Sequence, residues 1–301
     1  MTYHDPVLAG EIARLAEGKR RAVDGTLGGG GHSALLAHAG ATVLGIDRDP
    51  EALAAAQGRL DGQPVRFLEG GFGDEAVLDE IAAFHPDFVL LDLGVSSRQL
   101  DEDTRGFSFR RGVPLDMRMS GTGATAADLL THTPADELER WFREYGDERK
   151  ARHLAKIIVD RRTKGGFAVS DDLVNAIRAA LGPRSGPPDF ARLFQAVRIA
   201  VNDELGQLAA ALPRLLEALE PGGILAVISY HSGEDRLTKR LFRDWARACI
   251  CPSEQPTCTC RGRPLGAVTP HKAISAGAAE IAANPRARSA HLRVFRKADG
   301  G

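Results

Sequence analysis

The sequence predicts an α/β fold in two parts: a doubly wound parallel sheet, interrupted by an inserted all-helical domain. Three observations carry this. Strand-length apolar runs alternate with helical periods through residues 20–97. Four consecutive glycines, residues 28–31, stand between the first strand and the first helix of that series. After residue 101 the strand signal stops and helices follow, until "ILAVISY" (224–230) resumes the sheet. The expected division is residues 1–103 with 204–301 for the sheet domain and 104–203 for the insertion.

Each element has a local cause. "RRAVDGTLG" (20–28) begins as a strand and ends in the glycine loop. "HSALLAHAG" (32–40) is a helix closed by Gly40, where a left-handed residue is wanted. "ATVLGIDRDP" (41–50) is a second strand, and Pro50 opens the next helix, "PEALAAAQGRL". "VRFLEGGFGD" (65–74) and "DFVLLDLGVSS" (87–97) are the third and fourth strands, the latter continuously apolar as a strand covered on both faces should be. Residues 101–120 have no period and are rich in Arg, Gly and Asp. Helices are expected over 133–146, with Thr133 as N-cap and Pro134 in the first turn, and over 147–162, 170–182, 190–201 and 202–223.

Composition narrows the function classes. The chain has 301 residues, 43% apolar and 26% charged, with a net charge of −1. That length buries a real core, and near-neutrality argues against coating nucleic acid by charge alone. The longest apolar runs are too short to span a bilayer, and no secretory signal pattern opens the sequence. A cytoplasmic protein with no membrane association is expected.

A glycine-rich turn between strand and helix lets backbone N–H groups approach a ligand with no Cβ in the way. The pattern G-x-G-x-x-A at Gly29, Gly31 and Ala34 suits a dinucleotide, and Asp47 lies where a ribose-binding acid belongs. Asp24 points elsewhere. A carboxylate just before the loop would repel a pyrophosphate, whereas S-adenosyl-L-methionine carries an ammonium and a sulfonium and no phosphate. A purely structural Asp24, capping the loop or helix, is the other reading.

Further stretches resemble one family. "HDPVL" (4–8), "DGTLGGGGHS" (24–33), "GIDRDPEA" (45–52), "LLDLGVSSRQLD" (90–101), "RGFSFRRGVPLDMRM" (105–119), "EYGDERKARHLAKIIVDRR" (144–162), "FQAVRIAVNDEL" (194–205), "ISYHSGEDRLTKR" (228–240) and "NPRARSAHLRV" (284–294) are together similar to the RsmH (MraW) methyltransferases. The resemblance implies a Rossmann-like S-adenosylmethionine-dependent methyltransferase domain with an inserted helical domain. It also implies methyl transfer to the exocyclic N4 of a cytidine in the decoding centre of 16S rRNA, in the small ribosomal subunit. It puts cofactor contacts at Gly30, Gly31, His32, Asp47, Phe72, Asp92 and Gln99, beside Asp24, which the charge argument alone makes a cofactor-binding candidate. Two residues depart from the family's usual "FHSLEDR": Tyr230 and Gly233. Thr26 stands where many adenosylmethionine enzymes have glycine, as it generally does in this family. The tetrapeptide "DPPY", common in enzymes that methylate exocyclic amines, is replaced by "DLGV" (92–95).

Methyl transfer is an in-line displacement needing alignment and a hydrogen-bond acceptor for the amino group. Asp92 and His231 are the candidate catalytic residues, with a structural His231 equally expected. The target base must be looped out to be reached. Candidate RNA contacts are Arg105, Arg110, Arg111 and Arg118 in the irregular segment, and Arg149, Lys150, Arg152 and Lys156. The basic stretch 286–297 is a further candidate surface. Cys249, Cys251, Cys258 and Cys260 form C-x-C-x₆-C-x-C, a possible zinc site whose pairs are closer than the usual C-x₂-C knuckle; no metal is assigned. Two other functions are open: an RNA-binding ribosome assembly factor without transfer activity, and an NAD-type oxidoreductase.

Overall fold

The computed structural model describes residues 6–95, 102–252, 254–255 and 257–300. It divides into two compact units, Met1–Gly94 with Leu205–Gly301, and Val95–Glu204.

The first unit opens with helix α1 (Ala9–Ala16) and then alternates strand and helix: β1 (Arg21–Asp24), α2 (Gly31–His38), β2 (Thr42–Asp47), α3 (Pro50–Arg59), β3 (Val65–Glu69), α4 (Glu75–Phe84) and β4 (Phe88–Asp92). Pro50 occupies the first turn of α3, and the Asp49 carboxylate accepts the Glu51 N–H at its start. The sheet order is β3-β2-β1-β4-β5, all parallel, with β5 (Ile224–Ser229) following β4. The order reverses at β1, so the crevice outside the carboxyl ends of β1 and β4 is the place where such sheets bind ligands. Asp24, Asp47 and Asp92 close β1, β2 and β4.

Both faces of these strands are apolar because both are covered. On one face Val23, Leu44, Ile46, Leu91, Leu225 and Val227 meet α4 through Val77, Leu78 and Ile81, and α10 (Glu204–Ala218) through Leu208, Leu212 and Leu215. On the other, Ala22, Val43, Phe88, Leu90 and Ala226 meet Ile12 of α1 and Leu36 of α2. Each fully buried Leu or Ile contributes roughly 1.5–3 kcal/mol.

Beyond β5 come α11 (Ser232–Ala246), β6 (Gly266–Val268), β7 (Ile274–Ser275), α12 (Ala278–Ala283) and β8 (His291–Lys297). Strand β8 runs antiparallel between β5 and β6, registered Ile228 to Leu292 and Ile224 to Arg296. Only part of the basic stretch 286–297 is therefore available as a surface. Leu292, Val294 and Phe295 are core. The Arg293 side chain is only 10% exposed and forks onto Asp235, at 2.7 and 2.9 Å, so its charge is neutralised inside the unit.

The second unit consists of the irregular segment 102–125 and helices α5 (Ala126–His132), α6 (Ala135–Glu144), α7 (Ala151–Arg162), α8 (Ser170–Leu181) and α9 (Pro187–Asn202). Its core includes Leu130, Trp141, Phe142, Leu154, Ile158, Ile177 and Phe194. The irregular segment is anchored rather than loose: Phe107, Leu115, Met117 and Met119 join that core. Asn202 fastens it, its Oδ1 accepting the Met119 N–H at 2.9 Å and its Nδ2 donating to the Met117 carbonyl at 2.8 Å. Gly106 has φ +77°, and a Cβ there would lie 2.5 Å from the Pro114 carbonyl oxygen. Thr133 is not the N-cap of α6; it closes α5, and Pro134 takes the cap position.

Candidate active site

The loop from β1 into α2 is shaped first by its own unit. Gly30 has φ +75°, and a Cβ there would meet Leu60 Cδ1 of the α3 end at 2.8 Å and Ala56 Cβ at 3.3 Å. Part of the glycine requirement is therefore internal packing and backbone geometry. At Gly31 the nearest neighbour of a Cβ would be Pro6, at 3.3 Å.

The three strand-end aspartates differ in their outlets. Asp24 has no exposed surface; its Oδ2 accepts the Ser33 hydroxyl at 2.7 Å and its Oδ1 the Thr26 N–H at 3.3 Å. Burial raises its carboxyl above the ordinary value, against the charge of His32 and the bonds from Ser33 and Thr26. Of the two readings of Asp24, the structural one is directly visible: Ser33 and Thr26 donate to its two oxygens, so it ties the loop to α2. Asp47 is partly exposed, accepting the Gly28 N–H at 2.8 Å and the Asp49 N–H at 2.9 Å. Burial raises it too, opposed by those two N–H groups.

Asp92 is the aspartate with the most elaborate setting. Its side chain is 22% exposed. Its backbone N–H donates to Thr26 Oγ1 at 2.6 Å, and its Oδ1 accepts the Tyr230 hydroxyl at 2.8 Å. His32 Nε2 lies 3.4 Å from Asp92 Oδ2, an ion-pair contact, while His32 Nδ1 has no partner among the described residues. Burial opposes charging of His32, but the carboxylates of Asp92 and Asp24 outweigh it and raise the imidazole above its ordinary value. Tyr230 is lifted far above the phenol range by burial and by the Asp92 charge, so its hydroxyl stays protonated and donating.

His231 acts as a helix cap. Its Nδ1 accepts the N–H groups of Gly233 and Glu234 at 3.2 and 3.4 Å, opening α11. Glu234 reciprocates, with Oε2 accepting the Tyr230 N–H at 2.9 Å and Oε1 lying 3.2 Å from His231 Nε2. Of the two roles expected for His231, the structural one is visible here.

Phe72 is 9% exposed and belongs to the core beside Val23 and Leu91. Gln99 lies outside the described residues. Thr26, Ser33, Tyr230 and Glu234 were not among the expected site residues. Thr26 and Tyr230 nonetheless carried a signal, since both stand out as departures from related sequence patterns.

The basic candidates split by engagement. Arg118 forks onto Asp116 at 2.8 and 2.7 Å, and Arg105 donates to the Met119 carbonyl at 2.9 Å. Arg110 pairs with Asp103 at 3.0 Å, whereas the Arg111 side chain is 95% exposed, with Asp171 at 3.8 Å. Arg149, Lys150, Arg152 and Lys156 are all exposed, at the start and along one side of α7. The four cysteines lie in the segment joining α11 to β6, with their sulfurs within 4.8 Å of one another. Among the described residues no helix is long and apolar enough to cross a membrane.

Residues 1–298 match the MraW methylase family. The chain is 54% identical over 308 residues to the ribosomal RNA small subunit methyltransferase H of Gemmatimonas aurantiaca, covering 99% of this chain and 96% of that protein. It is 47% identical over 302 residues to the enzyme of the same name from Anaeromyxobacter dehalogenans, covering 98% and 97%. To that of Heliobacterium modesticaldum it is 45% identical over 308 residues, covering 98% of each. A parallel sheet reversing at β1, a glycine loop bordered by strand-end acids, and this match along nearly the whole length lead to one conclusion: the chain belongs to the MraW methylase family.

Proposed function

We propose that this protein transfers a methyl group from S-adenosyl-L-methionine to the exocyclic N4 of a cytidine in the decoding centre of 16S rRNA, on the small ribosomal subunit. The reading rests on family membership over residues 1–298, and on relatives named as small-subunit rRNA methyltransferases.

The residues suit that cofactor. Asp47 uses one lone pair of each oxygen on backbone N–H groups and keeps the others for a ribose diol. Gly30 and Gly31 let the loop backbone approach, and Phe72 borders the adenine end. Once bound, the cofactor supplies a methyl already activated on a sulfonium, so a strong base is not required. Asp92 accepts hydrogen bonds from the target amino group, increasing nitrogen electron density and aligning it. Thr26 and Tyr230 fix the position of Asp92, and His32 balances its charge. The cytidine reaches this site looped out, and exposed Arg111, Arg149, Lys150, Arg152 and Lys156 hold phosphates of the RNA.

The test combines purified protein, methyl-labelled S-adenosylmethionine and small ribosomal subunits from cells lacking the enzyme, with label mapped by mass spectrometry of nuclease digests. Label on the amino nitrogen of one decoding-centre cytidine is expected. In Asp47→Ala, loss of a charged acceptor should weaken cofactor binding by roughly 1.5–3 kcal/mol. Cofactor binding without transfer to any subunit would favour an assembly factor instead.

A further inference from the structure

We propose that Cys249, Cys251, Cys258 and Cys260 form a structural zinc centre, a closed tetrahedral site of four thiolates that organises the segment between α11 and β6. This does not depend on the proposed function.

The segment needs such an organiser. Among the described residues of 247–265 none is buried and none lies in a helix or strand. Connections of this length without secondary structure are uncommon inside a compact unit unless something else holds them. The ends are held: Leu265 N–H donates to the Trp245 carbonyl at 2.8 Å, and the Arg261 guanidinium donates to the Arg247 carbonyl at 2.8 Å and also to Asp244. The tip has no apolar core, and Ile250 is 49% exposed. What the tip does have is sulfur.

The geometry suits zinc. Cys258 and Cys260 sulfurs are 3.5 Å apart, Cys260 and Cys249 sulfurs 3.8 Å, and all four lie within 4.8 Å of one another. A tetrahedron with Zn–S bonds of about 2.3 Å has S–S edges of about 3.8 Å. The short C-x-C spacing, expected to hinder ligation, does not separate the thiols. Alternate residues of a non-helical arm can project to one side, and the two arms here face each other. A backbone N–H also points at a sulfur: that of Ile250 donates to Cys260 Sγ at 3.4 Å. Such a donor stabilises a thiolate in a closed site. On binding, each thiol releases its proton to solvent and gives a sulfur lone pair to the metal. Four protein ligands leave no open position, so the centre is structural rather than catalytic.

The test uses the full-length, untagged protein purified without chelators from zinc-supplemented cells. Mass-spectrometric elemental analysis should find one zinc per chain, with its four thiols slow to react until a chelator is added. In the pair variant Cys249→Ser/Cys258→Ser the zinc content should fall by about tenfold or more. A measurement on the unmutated protein guards against a variant that misfolds. Metal-stripped protein titrated with cobalt(II) should develop thiolate-to-cobalt charge transfer and the visible bands of a tetrahedral four-sulfur site. Four freely reactive thiols in zinc-replete protein, with no cobalt spectrum, would overturn the proposal. So would an iron chromophore in the purified protein, or an intact mass lower by the hydrogens of one or two disulfides.

Discussion

Tyr230→Phe is the most informative single substitution at the site, because it removes one oxygen and leaves the ring in place. The interaction it removes is the 2.8 Å bond from the phenol to Asp92 Oδ1. A hydrogen bond to a charged acceptor is worth roughly 1.5–3 kcal/mol, but Asp92 is 22% exposed and water can reach it. Discounted for that access, the loss is about 1 kcal/mol. If Asp92 positions the target amino group, the same energy appears in transfer as a fall of about fivefold. Single-turnover transfer at saturating cofactor reads the rate, and urea unfolding reads the stability. Repeating the substitution in an Asp92→Asn background completes a double-mutant cycle, in which the effect of Tyr230→Phe should shrink. A rate and a midpoint both unchanged by Tyr230→Phe would refute the bond. A drop of more than about 100-fold, or an undiminished effect in the Asp92→Asn background, would mean that Tyr230 acts on substrate directly and not through Asp92.

Asp24 gives a pH signature. Its folded-state carboxyl is raised by burial, so the folded protein holds that proton more tightly than the unfolded chain does. Stability from this group is therefore present at acid pH and lost as pH climbs from the ordinary carboxylate range through the raised value. Asp24→Asn should flatten that decline, seen as urea midpoints that converge with wild type at low pH and exceed it above the window; parallel curves would contradict it. Arg152→Ala/Lys156→Ala should leave cofactor binding intact while weakening binding to small subunits. The slope of log affinity against log salt should decrease by about 0.7–0.9 for each phosphate that is no longer neutralised, and an unchanged slope would remove this face of α7 from the RNA interface.

How much of this was legible in the chain depends on the range of the interaction. Strands β1, β2 and β4 and their terminal aspartates could be read because a strand covered on both faces is a short apolar run, and each run stops at an acid. Helix α3 announced itself through Pro50. Strand β8 did not. Its arginines read as a charged surface, and only pairing with β5, and the meeting of Arg293 with Asp235, shows that the alternation "HLRVFRK" (291–297) belongs to a sheet interior. The hydroxyl of Tyr230 meets Asp92 across 138 positions of sequence, beyond any local pattern. What local comparison could offer was the departure itself: a tyrosine for a phenylalanine, a threonine for a glycine. Both departing hydroxyls, Tyr230 and Thr26, bond to the same residue, Asp92.

The three strand-end aspartates show why residue type and spacing under-determine a site. All three are acids at the carboxyl ends of neighbouring strands around one loop. Asp24, fully buried, has both oxygens engaged by Ser33 and Thr26. Such a group stiffens the loop, because an ion without solvent access is tolerable only when the protein itself supplies its donors. Asp47 is tied to backbone N–H groups alone, which orient it while leaving lone pairs to offer. Asp92 keeps an exposed side, held by a hydroxyl at Oδ1 and an imidazole beside Oδ2. The role proposed for Asp92, acceptor for the target amino group, needs that combination of fixed orientation and open access. The division of labour follows from how much of each carboxylate remains uncommitted, a property set by Ser33, Thr26, Tyr230 and His32 rather than by the aspartates themselves.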